Sequence, residues 1–390
     1  MEDKKEVHHM EIRITKKSLV SALARTSTIA DRKSSMQILS NVLIDAADKD
    51  RVRISATDLN LFATGVFPAE VVEEGSITVP AKAMYDVVRN MPEGLVTVRT
   101  EDEHIRISSG RTYFRLFSLS ADGFPAIPDI SNVQFFDVNT ILLKQMIKQT
   151  SFSISPDKTR SSLNGSLFHG DGKNISMVTT DGHRLSKVEF RVEDSGFYDF
   201  SMVIPIKAIV EIGRLVDDGD GSISIGINDG SVFFRRMIDL DSDDNQKSMV
   251  AEQMIVSKLI EKKFPPYDQV IPKSNDLTII IYRVPLLEAL KRVAVISEEK
   301  AIRVGVRFEL SDGVIKIETN NPSIGHGYEQ VDVSYDGDPV TICFNARYLI
   351  DILNVLHDDE VKLEISGPLD PFVVKDLNDL FTGVVMPMRI

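Results

Sequence analysis

Stretches in which apolar and polar residues alternate, the period of a half-buried strand, hand over along this chain to stretches with apolar residues three and four apart, the period of an amphipathic helix. The handover is written three times: "GSITVPAKAMYDVVRNM" (75–91), "FSMVIPIKAIVEIGRLV" (200–216) and "PVTICFNARYLIDILNVL" (339–356). Pro80 and Pro205 suit a first helical turn, where the missing N–H has no partner to lose. Asn345 can cap the third helix with its side-chain oxygen. The third copy predicts a buried stripe of Tyr348, Ile352 and Val355, with Leu349 and Leu356 beside it.

The repeat is longer than these segments. Each copy has an earlier helical stretch, at 16–28, 139–151 and 284–296. A hairpin-like pair of alternating runs follows each one, at 41–58, 165–181 and 306–321. Proline-rich linkers, "DGFPAIPDI" and "KFPPYDQVIP", separate the copies and cannot continue a strand ladder. A period of this kind predicts three tandem α+β units, each with two helices packed on antiparallel sheet. The expected domains are 1–130, 131–270 and 271–390. Read from the repeat alone, three independent domains duplicated for any purpose remain an equal alternative.

Composition narrows the class. Apolar residues make up 43% of the 390, enough for ordinary cores and too many for a disordered chain. No apolar run approaches the ~18–20 residues that span a bilayer. "MEDKKEVHHM" has no apolar core, so no signal peptide is expected. The single cysteine, Cys343, excludes an internal disulfide and fits a reducing, cytoplasmic setting.

Charge changes the picture more. The net charge is -13, which argues against a general nucleic-acid coat. Yet the six predicted helices hold twelve Lys or Arg and four Asp or Glu. Lys82, Arg89, Lys144, Lys148, Lys207, Arg214, Lys291 and Arg292 are the carriers. Helices apolar on one face and basic on the other suit phosphates. No aromatic platform is interleaved, which disfavours single strands. No recognition helix or zinc finger appears, which disfavours base readout. What remains is sequence-independent contact with a duplex backbone.

Catalytic signals are weak. There is no P-loop, no dinucleotide fingerprint and no zinc-ligand spacing, so no cofactor and no metal are expected. "DLDSDDNQ" (239–246) opens like a calcium loop but lacks the glycine and the final acid. "TTDGHRL" (179–185) puts Asp181 and His183 near Ser186, too close along one strand turn to converge as a triad. The tail "FTGVVMPMRI" leaves Met386, Pro387 and Met388 beyond a last strand, which suggests the lip of a groove for an apolar peptide.

As a set, "TDGHRL" (180–185), "FPPYDQVIP" (264–272), "TNNP" (319–322) and "VVMPMRI" (384–390) resemble the bacterial DNA polymerase III beta subunit family, the sliding clamps. The resemblance runs from about residue 11 to 390. It implies a non-enzymatic processivity factor: a head-to-tail homodimer forming a six-domain ring around duplex DNA. Its implied partners are the polymerase III catalytic subunit, the clamp loader, and other polymerases and repair proteins that dock by peptide motif.

The implied peptide groove comprises Leu163, Thr180, Gly182, His183, Arg184, Leu185, Pro265, Val270, Asn345, Tyr348, Leu369, Pro371, Val384, Val385, Met386, Pro387, Met388 and Arg389. The implied dimer contact sets Phe114 and Leu116 against Val295 and Ile296. Lys33 and Arg160 fall on DNA-contacting loops. Two departures stand out. Gln269 replaces a basic linker residue. "SIGHGYEQ" (323–330) replaces an acidic cluster that would face Arg111 and Arg115. The rival readings are an enzyme using Asp181 and His183, and a three-domain protein-binding module that never meets DNA.

Overall fold

The computed structural model describes residues 9–31, 33–192, 199–217, 220–228, 230–240, 249–273, 277–299, 302–303 and 305–388. The fold is three tandem α+β repeats. Their helices are α1 (Lys16–Ile29), α2 (Ala81–Arg89), α3 (Thr140–Thr150), α4 (Ile206–Val216), α5 (Arg283–Ser297) and α6 (Ala346–Val355). The ends follow the capping logic of the sequence. Thr15 accepts the Ser18 N–H at 3.1 Å to start α1, and Asn345 accepts the Arg347 N–H at 3.0 Å to start α6. Pro80 stands just before the first helical residue of α2 rather than within its first turn.

Helix α6 corrects the expected stripe by one residue. Leu349, Ile352, Leu353 and Leu356 are buried, while Tyr348 and Val355 lie at the margin. Tyr348 is drawn aside because its ring stacks under the Arg184 guanidinium, 4.7 Å from ring centre to Cζ.

The chain divides into two compact units, Met1–Ile141 with Val210–Leu259, and Leu142–Ile209 with Ile260–Ile390. The expected middle segment, 131–270, is therefore shared between them. In the first unit a five-stranded sheet runs in the order Glu70–Glu73, Glu11–Thr15, Leu95–Glu101, His104–Ser109, Thr112–Phe117. A nine-stranded sheet joins strands of the first repeat to strands of the second. The join is the antiparallel pair Leu61–Pro68 with Met249–Lys258, in register from Leu61↔Ser257 to Val66↔Glu252. Helix α1 packs on this sheet and on α2.

The second unit repeats the device. Arg184–Arg191 pairs antiparallel with Phe381–Val385, from Arg184↔Val385 to Val188↔Phe381, and makes one eight-stranded sheet from the second and third repeats. A four-stranded sheet runs Gly325–Asp332, Val314–Asn321, Val306–Ser311, Val340–Phe344. Side chains alternate across a strand, so neighbouring residues serve different cores. Val385 joins the core under α5 and α6, where Phe308, Phe344 and Phe372 meet at centroid distances of 5.4–5.7 Å. Val384 joins a smaller cluster with Leu185, Val373 and Phe264.

The second join depends on a residue without a side chain. Gly383 lies opposite Ser186, and a Cβ there would sit 2.8–3.1 Å from three carbons of buried Ile352 on α6. Gly383→Ala should cost about 1–3 kcal/mol through overpacking. Urea unfolding checks it: the midpoint should fall, and a wild-type midpoint would show that α6 yields freely.

Candidate functional site

The candidate site lies wholly in the second unit and begins with a turn. Thr180, Asp181, Gly182 and His183 connect the strands Asn174–Thr180 and Arg184–Arg191. Thr180 Oγ1 donates to the Arg184 carbonyl at 2.6 Å and accepts the Gly182 N–H at 3.1 Å. Asp181 Oδ1 accepts the N–H groups of His183 and Arg184 at 2.9 and 3.1 Å. Gly182 sits at φ +90°, a left-handed conformation that suits glycine. The tail crosses this turn, and the Met386 N–H donates to the His183 carbonyl at 2.9 Å.

Between turn, tail and linker the chain leaves an apolar cavity of about 180 Å³. Leu163, Thr180, Gly182, Arg184, Leu185, Pro265, Pro266, Tyr267, Val270, Val384 and Met386 line it. Its floor is the small cluster around Leu185, Val384 and Phe264. The linker is stiffened by its prolines and by Tyr267, whose ring meets Phe264 edge-on at 6.3 Å. Burial, with Asp268 and Glu189 nearby, pushes the Tyr267 hydroxyl pKa up, so it is neutral at ordinary pH. The site offers shape and apolar surface more than charge.

The one cation in the wall is held in place. Arg184 Nη1 donates to Asp351 Oδ2 at 2.6 Å, Nε to Asp181 Oδ2 at 3.0 Å, and Nη2 to the Phe152 carbonyl at 2.7 Å. Its guanidinium lies over the Tyr348 and Phe152 rings at 4.7 and 5.3 Å. Three anchors and two rings preorganise it. Asp351 also faces Arg347 at 3.5 Å. Both Asp181 oxygens are engaged, and the His183 ring stacks toward Tyr348 at 6.4 Å rather than meeting a nucleophile. Ser186 points away, accepting from Ser153 Oγ at 2.7 Å in a buried hydroxyl network. The acid–base pair weighed from sequence is therefore a turn.

Of the residues implied for the groove, Leu163, Thr180, Gly182, Arg184, Leu185, Pro265, Val270, Val384 and Met386 line the cavity. His183, Asn345, Tyr348, Leu369, Pro371, Val385, Pro387 and Met388 do not. Val385 faces the opposite core, and Leu369 is exposed. Met388 is tied by its N–H to the Cys343 carbonyl at 2.6 Å. Arg389 lies outside the described residues, as do residues 1–8 of the N-terminal extension. Pro266 and Tyr267 were missed, although both stand in the linker "FPPYDQV". Asp351 was missed too, since a partner 167 positions from Arg184 leaves no local signal.

The ten basic residues, Lys33, Lys82, Arg89, Lys144, Lys148, Arg160, Lys207, Arg214, Lys291 and Arg292, are all exposed. Several are partnered by carboxylates: Lys82 with Asp86 at 2.5 Å, Arg160 with Asp157 at 3.8 Å, Arg214 with Glu211 at 2.7 Å. Lys291 meets Glu288 at 2.9 Å and Arg292 meets Glu329 at 2.6 Å. Phe114 is 40% and Val295 73% exposed, large apolar groups left in solvent, with Leu116 and Ile296 half-buried. Arg115 turns to Glu101 of its own chain at 3.3 Å. Glu101 also takes Arg99 at 2.6 Å, whose hydrogen bond is the main cause holding that carboxyl below its usual range.

Known proteins resemble this chain along nearly its whole length. Sequence profiles of the DNA polymerase III beta subunit match the whole chain in series: the N-terminal domain at residues 10–128, the central domain at 137–266 and the C-terminal domain at 268–389. A beta sliding clamp of Proteus mirabilis is 32% identical over 384 residues, 98% of this chain and 100% of that protein. The crystal structure of DNA polymerase III subunit beta from Pseudomonas aeruginosa superposes with a TM-score of 0.88 at 30% identity, covering 98% of this chain and 100% of that one. A sliding clamp from Bartonella birtlesii, solved bound to griselimycin, superposes with a TM-score of 0.87 at 33% identity and the same coverage.

The Arg184 anchor can be tested on its own. Asp351→Ala removes a charge-assisted hydrogen bond from a mostly buried guanidinium and should cost about 2 kcal/mol. Denaturant unfolding should show a lowered midpoint. A midpoint equal to wild type would mean that Asp181 and the Phe152 carbonyl suffice.

Proposed function

The chain belongs to the DNA polymerase III beta subunit family, the beta sliding clamps, and from that premise we propose that it acts as a processivity factor. Two copies encircle duplex DNA and tether replication proteins through the groove built on Leu185, Val384 and Met386. The observation that carries this reading is the apolar cavity framed by turn, linker and tail. It is sized for side chains of a short peptide, and its one cation is already neutralised by two carboxylates. The polymerase III catalytic subunit, the clamp loader and other polymerases and repair proteins are the proposed occupants. The reading is non-catalytic, and the candidate acid Asp181 is engaged by its own turn and by Arg184. The proposed place of action is the cytoplasm, beside DNA.

Sheet topology supports the dimer. In each unit a join pairs the strand after a repeat's first hairpin, Leu61–Pro68 or Arg184–Arg191, with the last long strand of the next repeat. Two strands of those types remain as sheet edges: Gly325–Asp332 of the third repeat and Thr112–Phe117 of the first. A second copy can supply the missing pairing head to tail. The Gly325–Asp332 edge borders a cleft of about 770 Å³ lined by Ile280, Tyr282, Arg292 and Gln330, room for a partner's edge. Exposed Tyr113, Phe114 and Phe117 on one edge, and Val295, Ile324 and Tyr328 near the other, supply apolar surface.

The basic residues fit a sliding contact. A phosphate reaching Lys82, Arg214, Lys291 or Arg292 competes with a carboxylate already in place, so each contact is weak and easily exchanged. Retention then comes from closure around the duplex, and the salt-sensitive contacts only guide it.

Two outcomes are expected. Met386→Ala combined with Met388→Ala should weaken binding of a polymerase-derived peptide about tenfold or more by calorimetry, with the two-copy mass unchanged; unaltered affinity would remove the groove assignment. Val295→Asp should shift micromolar protein from two-copy to one-copy mass in light scattering, while an unshifted mass would exclude this interface.

A further inference from the structure

The turn that frames the groove is built twice. In the first unit, Thr57, Asp58, Leu59 and Asn60 connect the strands Arg51–Thr57 and Leu61–Pro68. Thr57 Oγ1 donates to the Leu61 carbonyl at 2.9 Å and accepts the Leu59 N–H at 2.9 Å. Asp58 Oδ1 accepts the N–H groups of Asn60 and Leu61 at 3.0 and 2.7 Å. The Lys258 N–H donates to the Asn60 carbonyl at 2.8 Å. Each bond has its counterpart around Thr180, Asp181 and His183. The register agrees, with Phe62↔Val256 where the groove has Leu185↔Val384. The linkers also align: Phe124, Pro125, Ile127 and Ile130 stand for Phe264, Pro265, Tyr267 and Val270.

The differences at the floor and wall fill or blunt the counterpart. Phe62 replaces Leu185, is 7% exposed, and takes the ring of Phe124 edge-on at 6.3 Å. In the groove the matching linker ring, Phe264, shares one cluster with the smaller Leu185 and meets its neighbour Tyr267 edge-on. Phe124, Ile127 and Ile130 pack down on Phe62 and Val256. Leu61, buried, replaces Arg184, so the anchored guanidinium is missing. Leu59 replaces Gly182 and keeps its left-handed backbone, φ 75° against 90°, with its side chain 45% exposed. A leucine held there is strained, so the turn has kept its shape without the residue that suits it.

We propose that the junction of the first and second repeats is a closed counterpart of the peptide groove, and that Phe62 limits each chain to one apolar-peptide site. The limit on sites rests on the groove reading above; the closure by Phe62 does not. Two variants of the full chain test it, Phe62→Leu, which installs the groove's own residue, and Phe124→Leu, which withdraws the opposing ring should the first fail to fold. Crystals of each, pressurised with xenon, are compared with wild type. The expected result is a surface-open cleft between residues 57–61 and 124–130 with xenon bound against Val256, while wild type binds xenon only at Leu185 and Val384. A cleft that stays sealed in the variants, a linker that collapses into the space, or xenon at Val256 in wild type would overturn the proposal. Xenon at Leu185 in a protein that binds no polymerase peptide would instead defeat the groove reading and leave the closure by Phe62 standing.

Discussion

Edge-to-edge pairing of strands from successive repeats is the interaction on which the rest of this structure depends. An unpaired strand edge exposes a row of N–H and C=O groups that must find partners. Here each repeat meets that need with the next repeat, Leu61–Pro68 with Met249–Lys258 and Arg184–Arg191 with Phe381–Val385. The join welds repeats into sheets of nine and eight strands. It also carries the tail past the turn at Thr180–His183, so the groove is a by-product of a join. The edges Thr112–Phe117 and Gly325–Asp332 then pose the same chemical problem, which the proposed second copy would answer.

Seen this way, the two junctions are variants of one construction with different fillings. The hydrogen bonds of the turn, which set backbone shape, are the same in both. The side chains that decide whether space remains are not: Leu185 against Phe62, Gly182 against Leu59, Arg184 against Leu61. A backbone frame specified by Thr and Asp tolerates either outcome, and the size of one floor residue decides which.

Much of this was legible in the sequence because its signals are local. Proline before a helix, Asn345 as a cap and the apolar periods of six helices all act within a few residues. Several residues that line the apolar cavity, Thr180, Gly182, Arg184, Leu185 and Met386, stand in "TDGHRL" and the methionine tail. What was not legible is long-range. Nothing near Leu61 announces Ser257 opposite it, so the pairing that gathers the chain into two compact units was not there to be read. Asp351 is silent until the fold brings it to Arg184. The one-residue rotation of the α6 stripe follows from Tyr348 stacking on that same arginine, a contact periodicity cannot see. The carboxylate partners of Lys82, Arg214 and Lys291 sit three or four residues away on the same helix and were there to be read, whereas Glu329, the partner of Arg292, comes from a distant strand.

In the proposed ring a second copy completes the strand pairing that the two joins begin. Single-particle cryo-electron microscopy of the purified protein without DNA tests it most directly. The expected result is a closed two-copy ring with an open centre, in which Thr112–Phe117 of one protomer runs antiparallel beside Gly325–Asp332 of its partner at ordinary strand spacing, about 4.8 Å. Particles without a central hole, or two copies joined through any other surface, would contradict it.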